Sequence, residues 1–395
     1  MTLATEPQGG RGNSNDHVRR HNLSVVLTLV HRSRGMSRAQ LTKLTGLNRS
    51  TIAALVGELV ERRLVIEGEA NSRNQVGRPS PVVRPDPLAV AVAINPEIDA
   101  ITIGLVGLGG GVISATRYPT ERELTAREAV ELCGGVIDSL RDDLDTNYRT
   151  IGIGVAVPGL VRESDGLVRL APHLAWVDEP LAEMLEERTG YSVVAGNDAH
   201  LGALAESTFG EGREVSDFLY LNGGASGIGG GVIAAGQPLS GAAGYAGELG
   251  HTLVNSLGIP CHCGASGCLE TEVKRAPLLA LVGLADADAD ELERALLAST
   301  SPVVRAEVDR QLDFLGVALR NAVNTLNPRL VILGGFLATL YAVNPGRLDE
   351  ALATQPLRAS RESLRVSRAS LGSRLLMIGA AELAFEAVLA DPTAF

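Results

Sequence analysis

The sequence has no uninterrupted apolar run near the roughly 20 residues that a membrane-spanning helix requires, although 45% of its residues are hydrophobic. Its first residues lack the basic and then apolar layout of a signal peptide, so we expect a cytoplasmic protein. Cysteine is scarce, with four in 395 residues, and three of these occur within residues 261–268. This number excludes a fold built on disulfides and is more compatible with a metal site.

Basic residues are outnumbered over the whole chain, and a formal net charge of −11 argues against a nucleic-acid partner. The charge is unevenly distributed, however. Residues 1–84 contain 13 Arg and Lys against 6 Asp and Glu, a charge of +7, which leaves −18 for residues 85–395. The split indicates a small polyanion-binding head joined to an acidic body, and 395 residues suffice for two or three domains.

Residues from Val18 onward have the pattern of three short helices. Apolar residues first recur at helical spacing, and Ser37 followed by Gln40 then predicts a capping box at the start of a second helix. Gly46 interrupts that helix, and Asn48 can cap a third one with a single apolar stripe. Two short helices around a glycine-containing turn are the layout of a helix-turn-helix.

The segment after these helices has the pattern of a β-ribbon, or wing. Residues 64–66 and 82–83 are short strand candidates, separated by a polar stretch that ends in Gly-Arg-Pro at residues 77–79. We therefore predict a winged helix-turn-helix domain over residues 17–84, preceded by a disordered leader over residues 1–16. Several prolines then place the domain boundary at residues 84–88.

The exposed start of the third helix is placed to enter a major groove, where Arg49 could pair with guanine through two hydrogen bonds. Arg78 in the wing could lie in a narrow A·T-rich minor groove, and Arg62 and Arg63 are placed to contact phosphates. The predicted DNA-contacting residues are Lys43, Asn48, Arg49, Ser50, Thr51 and Arg78. Two alternatives stay open: the helices could serve only protein interaction, and the segment at Arg78 could be a plain linker.

From residue 88 onward the pattern is that of an α/β protein. Strands of alternating or apolar residues are followed by two glycine-rich turns, at residues 107–111 and 223–231. This repetition predicts two α/β lobes that face a cleft, and small ligands usually bind in such clefts. We assign residues 88–395 to this second domain.

A cluster of metal-binding residue types is the strongest local signal in the body. His251 is followed by Cys261, Cys263 and Cys268, with glycines among them that let the backbone wrap closely. Three thiols and one imidazole match a closed tetrahedral structural zinc site. Chance clustering of buried thiols and a redox switch are the alternatives, and His262 could replace His251 as the fourth ligand.

The residues around this cluster resemble the ROK family of sugar kinases and sugar-responsive repressors. The motif reads Gly-Glu-Leu-Gly-His over residues 247–251, then Cys-x-Cys-Gly-x-x-Gly-Cys-Leu-Glu over residues 261–270. The similarity covers about residues 88–390 and extends at the front to the winged helix of the family's repressors. It implies an actin-like, hexokinase-like pair of lobes with a hexose between them, and a zinc ion that holds the loop at residues 251–268.

Carried over position by position, the resemblance implies a sugar-binding set of Gly159, Asn197, Asp198, Glu248, His251 and Glu270. Carboxylates and an amide can each pair with two neighbouring hydroxyl groups, and an imidazole can bind zinc through one nitrogen and a sugar through the other. Asn197 and Asp198 would also suit a helix cap, which is a structural role. One position departs from the family, because His173 stands where Asn is frequent.

The loop that binds nucleotide phosphates in the family's kinases is degenerate in this sequence. Its counterpart runs from Asn95 to Asp99 without a glycine or lysine; Pro96 removes an amide donor and Glu97 adds negative charge. We therefore expect no kinase activity, with Asp198 as the vestige of a catalytic base. The alternative is an ATP-dependent sugar kinase with an added DNA-binding head.

Together these features predict a sugar-responsive transcriptional regulator, and a repressor in particular. The head would bind operator DNA, and a sugar between the lobes would change the affinity for DNA by linkage. The resemblance implies a homodimer or tetramer on an inverted repeat, and the wing implies A·T-rich flanks. The remaining rival is a DNA-binding protein with a vestigial sugar pocket that a protein partner controls.

Overall fold

Three helices and three short strands form the N-terminal part of the chain, which we call the head. The computed structural model describes residues 15–68, 80–285 and 287–395. The helices of the head are α1 (Asn15–Ser33), α2 (Arg38–Thr45) and α3 (Arg49–Glu61), and its strands are β1 (Met36–Ser37), β2 (Val65–Gly68) and β3 (Val82–Pro85). The strands form one antiparallel sheet in the order β1-β3-β2.

Local hydrogen bonds set the ends of α2 and α3 at the predicted residues. The Ser37 side chain accepts from the backbone N–H of Gln40, and the Gln40 side chain accepts from the backbone N–H of Ser37, which confirms the capping box. Gly46 ends α2 at a φ of 71°, a left-handed conformation that suits glycine. Asn48 Oδ1 then accepts from the Thr51 N–H at 2.8 Å and caps α3.

Two predictions for the head concern segments that lie partly or wholly outside the described residues. The leader predicted at residues 1–16 lies outside them up to residue 14, whereas Asn15 and Asp16 already belong to α1. For these two residues the prediction of disorder is wrong, and an acidic side chain in the first turn, Asp16, favours helix at that end. Arg78, together with the rest of residues 69–79, also lies outside the described residues.

The body begins with an α/β lobe, which we call the first lobe. Its strands are β4 (Ala89–Pro96), β5 (Ala100–Gly107), β6 (Gly111–Pro119), β7 (Arg149–Val157), β8 (Leu160–Arg162), β9 (Leu167–Ala171), β10 (Trp176–Glu179) and β11 (Val193–Asn197), and its helices are α4 (Ala126–Thr146) and α5 (Leu181–Thr189). Five strands form a mixed sheet in the order β11-β7-β4-β5-β6, and β8, β9 and β10 form a small sheet beside it. Strand β4 is buried along its whole length, as expected for the centre of a sheet covered on both faces.

A second lobe follows the connecting helix α6 (Asp198–Phe209). Its strands are β12 (Phe218–Gly223), β13 (Ile228–Ala234), β14 (Gln237–Pro238), β15 (Leu330–Gly334) and β16 (Arg365–Arg368). Its helices are α7 (Leu269–Glu272), α8 (Arg275–Val282), α9 (Ala289–Ala298), α10 (Pro302–Leu326), α11 (Gly335–Val343), α12 (Pro345–Thr354) and α13 (Arg358–Arg361), after which α14 (Leu375–Ala390) returns to the first lobe.

The two large sheets share one topology. The second sheet has the order β14-β13-β12-β15-β16, and each sheet joins three parallel strands to an antiparallel hairpin. This repetition confirms the two α/β lobes that the paired glycine-rich turns predicted, and it agrees with the actin-like pair of lobes that the family resemblance implies.

The head and the first lobe share one hydrophobic core. Val30 of α1, Ala93 of β4 and Phe385 of α14 belong to the same cluster of buried side chains. Helix α14 therefore packs against α1 on one side and against the sheet of the first lobe on the other. Among the described residues, no helix combines the length and the apolarity needed to cross a membrane.

Candidate functional site

A cavity of about 200 Å³ opens between the two lobes, and we call it the inter-lobe cavity. All the residues predicted to bind sugar line it, namely Gly159, Asn197, Asp198, Glu248, His251 and Glu270. They come from the turn after β7, from the junction of β11 and α6, and from the part of the chain that runs from β14 into α7. The cavity is smaller than the roughly 300–1,000 Å³ pockets that hold drug-sized ligands, so its size is suited to one monosaccharide.

Asn197 and Asp198 lie where β11 passes into α6. Asn197 Oδ1 accepts a hydrogen bond from the His200 N–H at 3.0 Å, and its Nδ2 donates to the Gly159 carbonyl at 2.9 Å. Asn197 is thus the cap of α6 and also fixes the turn at Gly159. Burial, with a smaller contribution from the charge of Glu248, raises the pKa of Asp198 to about 7. Near neutral pH this carboxyl group can therefore either donate or accept a hydrogen bond.

Glu248 directly precedes a short 3-10 turn, Leu249–His251, and His251 is the last residue of that turn. The Nδ1 atom of His251 is 3.6 Å from the sulfur of Cys261, whereas its Nε2 atom is 4.0 Å from a carboxylate oxygen of Glu248. One ring nitrogen thus faces the thiol cluster and the other faces the inter-lobe cavity. Burial raises the pKa of Glu248 above its ordinary value.

The four predicted metal ligands, His251, Cys261, Cys263 and Cys268, bring their ligand atoms within 4.8 Å of one another. The sulfurs of Cys263 and Cys268 are 3.7 Å apart, and Cys261 Sγ is 3.6 Å from His251 Nδ1. Tetrahedral zinc has Zn–S bonds of about 2.3 Å and Zn–N bonds of about 2.1 Å. Two sulfur ligands are then roughly 3.8 Å apart, and a sulfur and a nitrogen ligand are roughly 3.6 Å apart. The donor set and its spacing therefore fit a tetrahedral metal ion.

His262, the alternative fourth ligand, lies beside this group. Its Nδ1 atom is 3.9 Å from the sulfur of Cys261 and 3.0 Å from Oε1 of Glu270. The same Glu270 oxygen is 3.0 Å from Cys261 Sγ, so this carboxylate connects the thiol cluster with the cavity. The rings of His251, His262 and His173 follow one another along the cavity wall, with centroids 5.1 and 5.9 Å apart.

Two polar residues that line the cavity were missed from the sequence, Asn222 and Ser226. Asn222 lies near the carboxyl end of the apolar strand β12, and Ser226 lies in the glycine-rich turn that follows. A polar residue at the carboxyl end of a buried strand is a usable signal, because ligands of α/β proteins bind at that edge of the sheet. His173 also lines the cavity, so the departure from the family pattern lies at the site itself.

The segment from Asn95 to Asp99 includes the turn between β4 and β5. Glu97 accepts from the Thr102 hydroxyl at 2.7 Å and pairs with Arg117 at 3.2 Å, and Asp99 pairs with the same arginine at 2.6 Å. Two carboxylates bridged by one arginine form a surface that repels a polyphosphate.

Most of the predicted DNA contacts are exposed on the head: Lys43, Asn48, Arg49 and Ser50 are open to solvent, and Thr51 is half-buried. Asn48 Oδ1 accepts from the Ser50 hydroxyl at 2.7 Å as well as from the Thr51 N–H, so these side chains are ordered by the cap. Lys43 and Arg49 form no hydrogen bond or ion pair with the described residues, which leaves both cations available to a ligand.

Arg62, in contrast, faces the body. Its guanidinium group donates to the carbonyl oxygens of Thr393 at 3.2 Å and Phe395 at 2.8 Å, and it pairs with Glu58 at 3.2 Å. The prediction that Arg62 contacts a DNA phosphate is therefore wrong, because its donors already hold the end of the chain against the head.

A larger cavity of about 670 Å³ lies along β11 and α14. It shares Asn197 with the inter-lobe cavity, and apolar side chains such as Val194, Leu204 and Leu383 contribute to its walls. Polar side chains such as Glu163, His200 and Glu386 line it as well. Of the residues predicted to bind sugar, however, only Asn197 reaches it, whereas all of them line the smaller cavity, which is therefore the better candidate site.

Comparisons with known proteins agree with this arrangement. A sequence profile of the ROK family matches residues 92–387. The xylose repressor of Caldicellulosiruptor bescii is 29% identical over 390 residues, covering 94% of this chain and 97% of that protein. The DNA-binding transcriptional dual regulator NagC of Escherichia coli K12 is 28% identical over 391 residues, covering 95% of this chain and 94% of the relative. The crystal structure of a ROK family transcriptional regulator, a homologue of the E. coli MLC protein, has the same fold. It superposes with a TM-score of 0.78 at 24% identity, over 95% of this chain and 98% of that one.

The match to the ROK family profile, over residues 92–387, spans well over half of the sequence, and the chain belongs to the ROK family.

Proposed function

We propose that this chain is a sugar-responsive transcriptional repressor. The observation that carries the proposal is the inter-lobe cavity, where Asp198, Glu248 and Glu270 converge with His251 in a chain whose relatives include a xylose repressor along nearly its full length. Three carboxylates around a space of about 200 Å³ are well suited to the hydroxyl groups of one sugar and poorly suited to an apolar ligand.

The head, in this proposal, is a winged helix-turn-helix that binds operator DNA. Support comes from the capped, exposed start of α3, from the cations Lys43 and Arg49, which have no partner among the described residues, and from the antiparallel pairing of β2 with β3. Arg49 would read a base in the major groove and Lys43 would contact a phosphate. A homodimer or tetramer would place two heads on an inverted repeat, and Arg78 would favour A·T-rich flanks.

The metal in this proposal is a structural zinc ion held by His251, Cys261, Cys263 and Cys268. The spacing of the donor atoms supports it, as does the thiolate-rich chemistry of the set. When bound, the ion would fix the tautomer and orientation of His251, whose other nitrogen faces the cavity. We therefore assign the cluster a positioning role toward the sugar.

The alternative function, an ATP-dependent sugar kinase, is favoured by one observation. A pKa of about 7 suits Asp198 to act as a general base toward a sugar hydroxyl. Against it stands the turn from Asn95 to Asp99, which presents carboxylates tied to Arg117 where the family's kinases bind phosphates.

The deciding experiment uses the full chain with zinc bound. Duplexes are selected by the protein from a randomised DNA pool, and the affinity for the selected duplex is measured with and without D-xylose, D-glucose or N-acetyl-D-glucosamine. We expect one sugar to raise the melting temperature and to change the affinity for DNA. Sugar phosphorylation in the presence of ATP would favour the kinase instead, and failure to select any duplex would overturn the repressor.

A further inference from the structure

Helix α6 connects the inter-lobe cavity with the head. Its first residue, Asp198, lines the cavity, and its last residue, Phe209, contacts α1. The centroid of the Phe209 ring is 5.2 Å from that of His31, and the guanidinium carbon of Arg34 lies 4.7 Å from the same ring. Twelve residues of α-helix span about 18 Å. One rigid element therefore contacts both parts of the molecule that the proposed function assigns to ligands.

The head is fixed to the body by directional contacts at this point. His31 is fully buried, and the backbone N–H of Gly109 donates to its Nδ1 atom at 2.9 Å. The ring proton is thus on Nε2, which donates to a Glu382 oxygen at 2.9 Å. Arg34 Nε donates to the Gly109 carbonyl at 3.0 Å. The end of α1 is held by a turn of the first lobe, by α14 and by the end of α6.

Helix α6 is also clamped between the lobes. Gly379 of α14 lies so close to the Leu201 carbonyl that a side chain at position 379 would overlap it. On the opposite side, Ala203 packs against Gly231 of β13, where a side chain would also overlap. The helix therefore touches elements of both lobes at backbone distance. Any change in the angle between the lobes must move α6 relative to at least one of them.

Phe209 packs directly against the turn between β5 and β6, which contains Gly109 and Gly110 and holds the end of α1. Gly110 has a φ of 72°, and a Cβ atom at this position would overlap the Phe209 ring. The ring is consequently confined between Gly110 on one side and His31 with Arg34 on the other. A displacement of α6 along its axis cannot be absorbed at this contact and acts on the end of α1.

We propose that Phe209 is a positioning residue that transmits sugar binding from the Asp198 end of α6 to the DNA-binding head, through its contacts with His31 and Arg34. This inference rests on the proposed function. It adds to that function a specific route between the two sites. The ring of Phe209 is required for sugar binding to change the affinity for DNA, but it is not required for binding the sugar or the DNA alone.

The test separates coupling from binding. Phe209→Leu keeps an apolar side chain but removes the ring, and Arg34→Gln removes the cation while keeping a donor. Arg32→Gln is the matched control, because Arg32 is exposed on the same helix and has no side-chain partner among the described residues. For each full-length protein, the Kd for the selected duplex is measured with and without saturating sugar, and the Kd for the sugar with and without duplex.

We expect the wild type and the Arg32→Gln control to show a ratio of about 5–150 between the two Kd values for DNA, and the same ratio for the sugar by reciprocity. In Phe209→Leu and Arg34→Gln the ratio should fall to below about 2, with each single-ligand Kd within about threefold of the wild type. A merely structural role would change the affinities or the melting temperature and leave the ratio intact.

Retention of the wild-type ratio in both variants overturns the inference and leaves the repressor proposal standing. Loss of DNA affinity in Phe209→Leu without sugar, at an unchanged ratio, overturns it as well, because the residue then only holds the head in place. A wild type that binds neither sugar nor DNA refutes the proposed function, and the inference falls with it.

Discussion

Replacement of Asp198 by Asn tests the electrostatics of the inter-lobe cavity. Burial raises the pKa of this carboxyl group from an ordinary 3.8 to about 7. Between these values the folded chain holds a proton that the unfolded chain has released, so the free energy of unfolding falls as pH rises through this window and is level above it. At about 1.36 kcal/mol for each pKa unit, the upper limit is roughly 4 kcal/mol. Because Asp198 borders the cavity and keeps some contact with water, we expect about 1–3 kcal/mol.

Asp198→Asn cannot ionise, and its amide oxygen can still accept from the Ala199 N–H that now bonds Asp198 Oδ1. We therefore expect the variant to be more stable than the wild type at pH 8 by about 1–3 kcal/mol and about equal to it at pH 4.5. Urea unfolding of the sugar-free, zinc-loaded protein at a series of pH values measures this. Asp165→Asn is the control: its partner Arg162 holds the pKa of Asp165 below the ordinary value, so its removal gives no gain at pH 8.

The same variant should bind sugar less well. A hydrogen bond to a charged group contributes about 1.5–3 kcal/mol, so loss of the carboxylate should weaken sugar binding by roughly 10–150-fold at pH 8. Gained stability together with lost affinity is the signature of a charge retained for ligand binding. A variant that is no more stable than the wild type at pH 8, or one that keeps full sugar affinity, would refute this reasoning.

The remaining predictions concern the metal, the DNA and the choice of sugar. Cys268→Ser should lose its single equivalent of zinc and melt at a lower temperature, as assayed by release of zinc to a chromogenic chelator. The control Cys133→Ser changes the buried cysteine of α4, outside the cluster, and should keep the metal. Arg49→Ala should weaken binding to the selected duplex by about 1–3 kcal/mol, with Arg32→Ala unchanged in the same titration. His173→Asn should change the order of preference in a monosaccharide panel scored by calorimetry; an identical order would remove His173 from the specificity of the site.

Interactions between close neighbours in the sequence were predictable. The capping box of Ser37 and Gln40, the left-handed turn at Gly46 and the cap at Asn48 each depend on residues within four positions of one another. The four predicted metal ligands also lie within one short segment, so their grouping could be predicted before their geometry was known. Such contacts need little information about the rest of the fold.

Contacts between distant parts of the chain could not be predicted in this way. His31 meets Glu382 across 351 positions, and Arg62 binds the carbonyl oxygen of Phe395 across 333. Both pairs depend on how the head packs against α14 and the residues that follow it, which no local pattern encodes. A buried, hydrogen-bonded histidine such as His31 looks like an ordinary surface histidine until its neighbours are placed. The joint core of head and first lobe was missed for the same reason.

In the proposed repressor, the convergence of carboxylates in one small cavity would allow a neutral sugar to act on the distant head. Burial raises the pKa of both Asp198 and Glu248, so ionisation of these carboxyl groups is unfavourable in the empty cavity and hydroxyl donors relieve it. A ligand shifts a two-state equilibrium only by its differential affinity for the two states, and a change from 1:99 to 99:1 requires about 5.5 kcal/mol. Three hydrogen bonds to charged groups, at about 1.5–3 kcal/mol each, reach this value when the lobes bring Asp198, Glu248 and Glu270 together around the sugar. The hydrogen-bond energy would be smaller if the cleft were open and the sugar contacted one lobe alone. The difference in binding free energy between the closed and the open arrangement is what could drive a movement of α6.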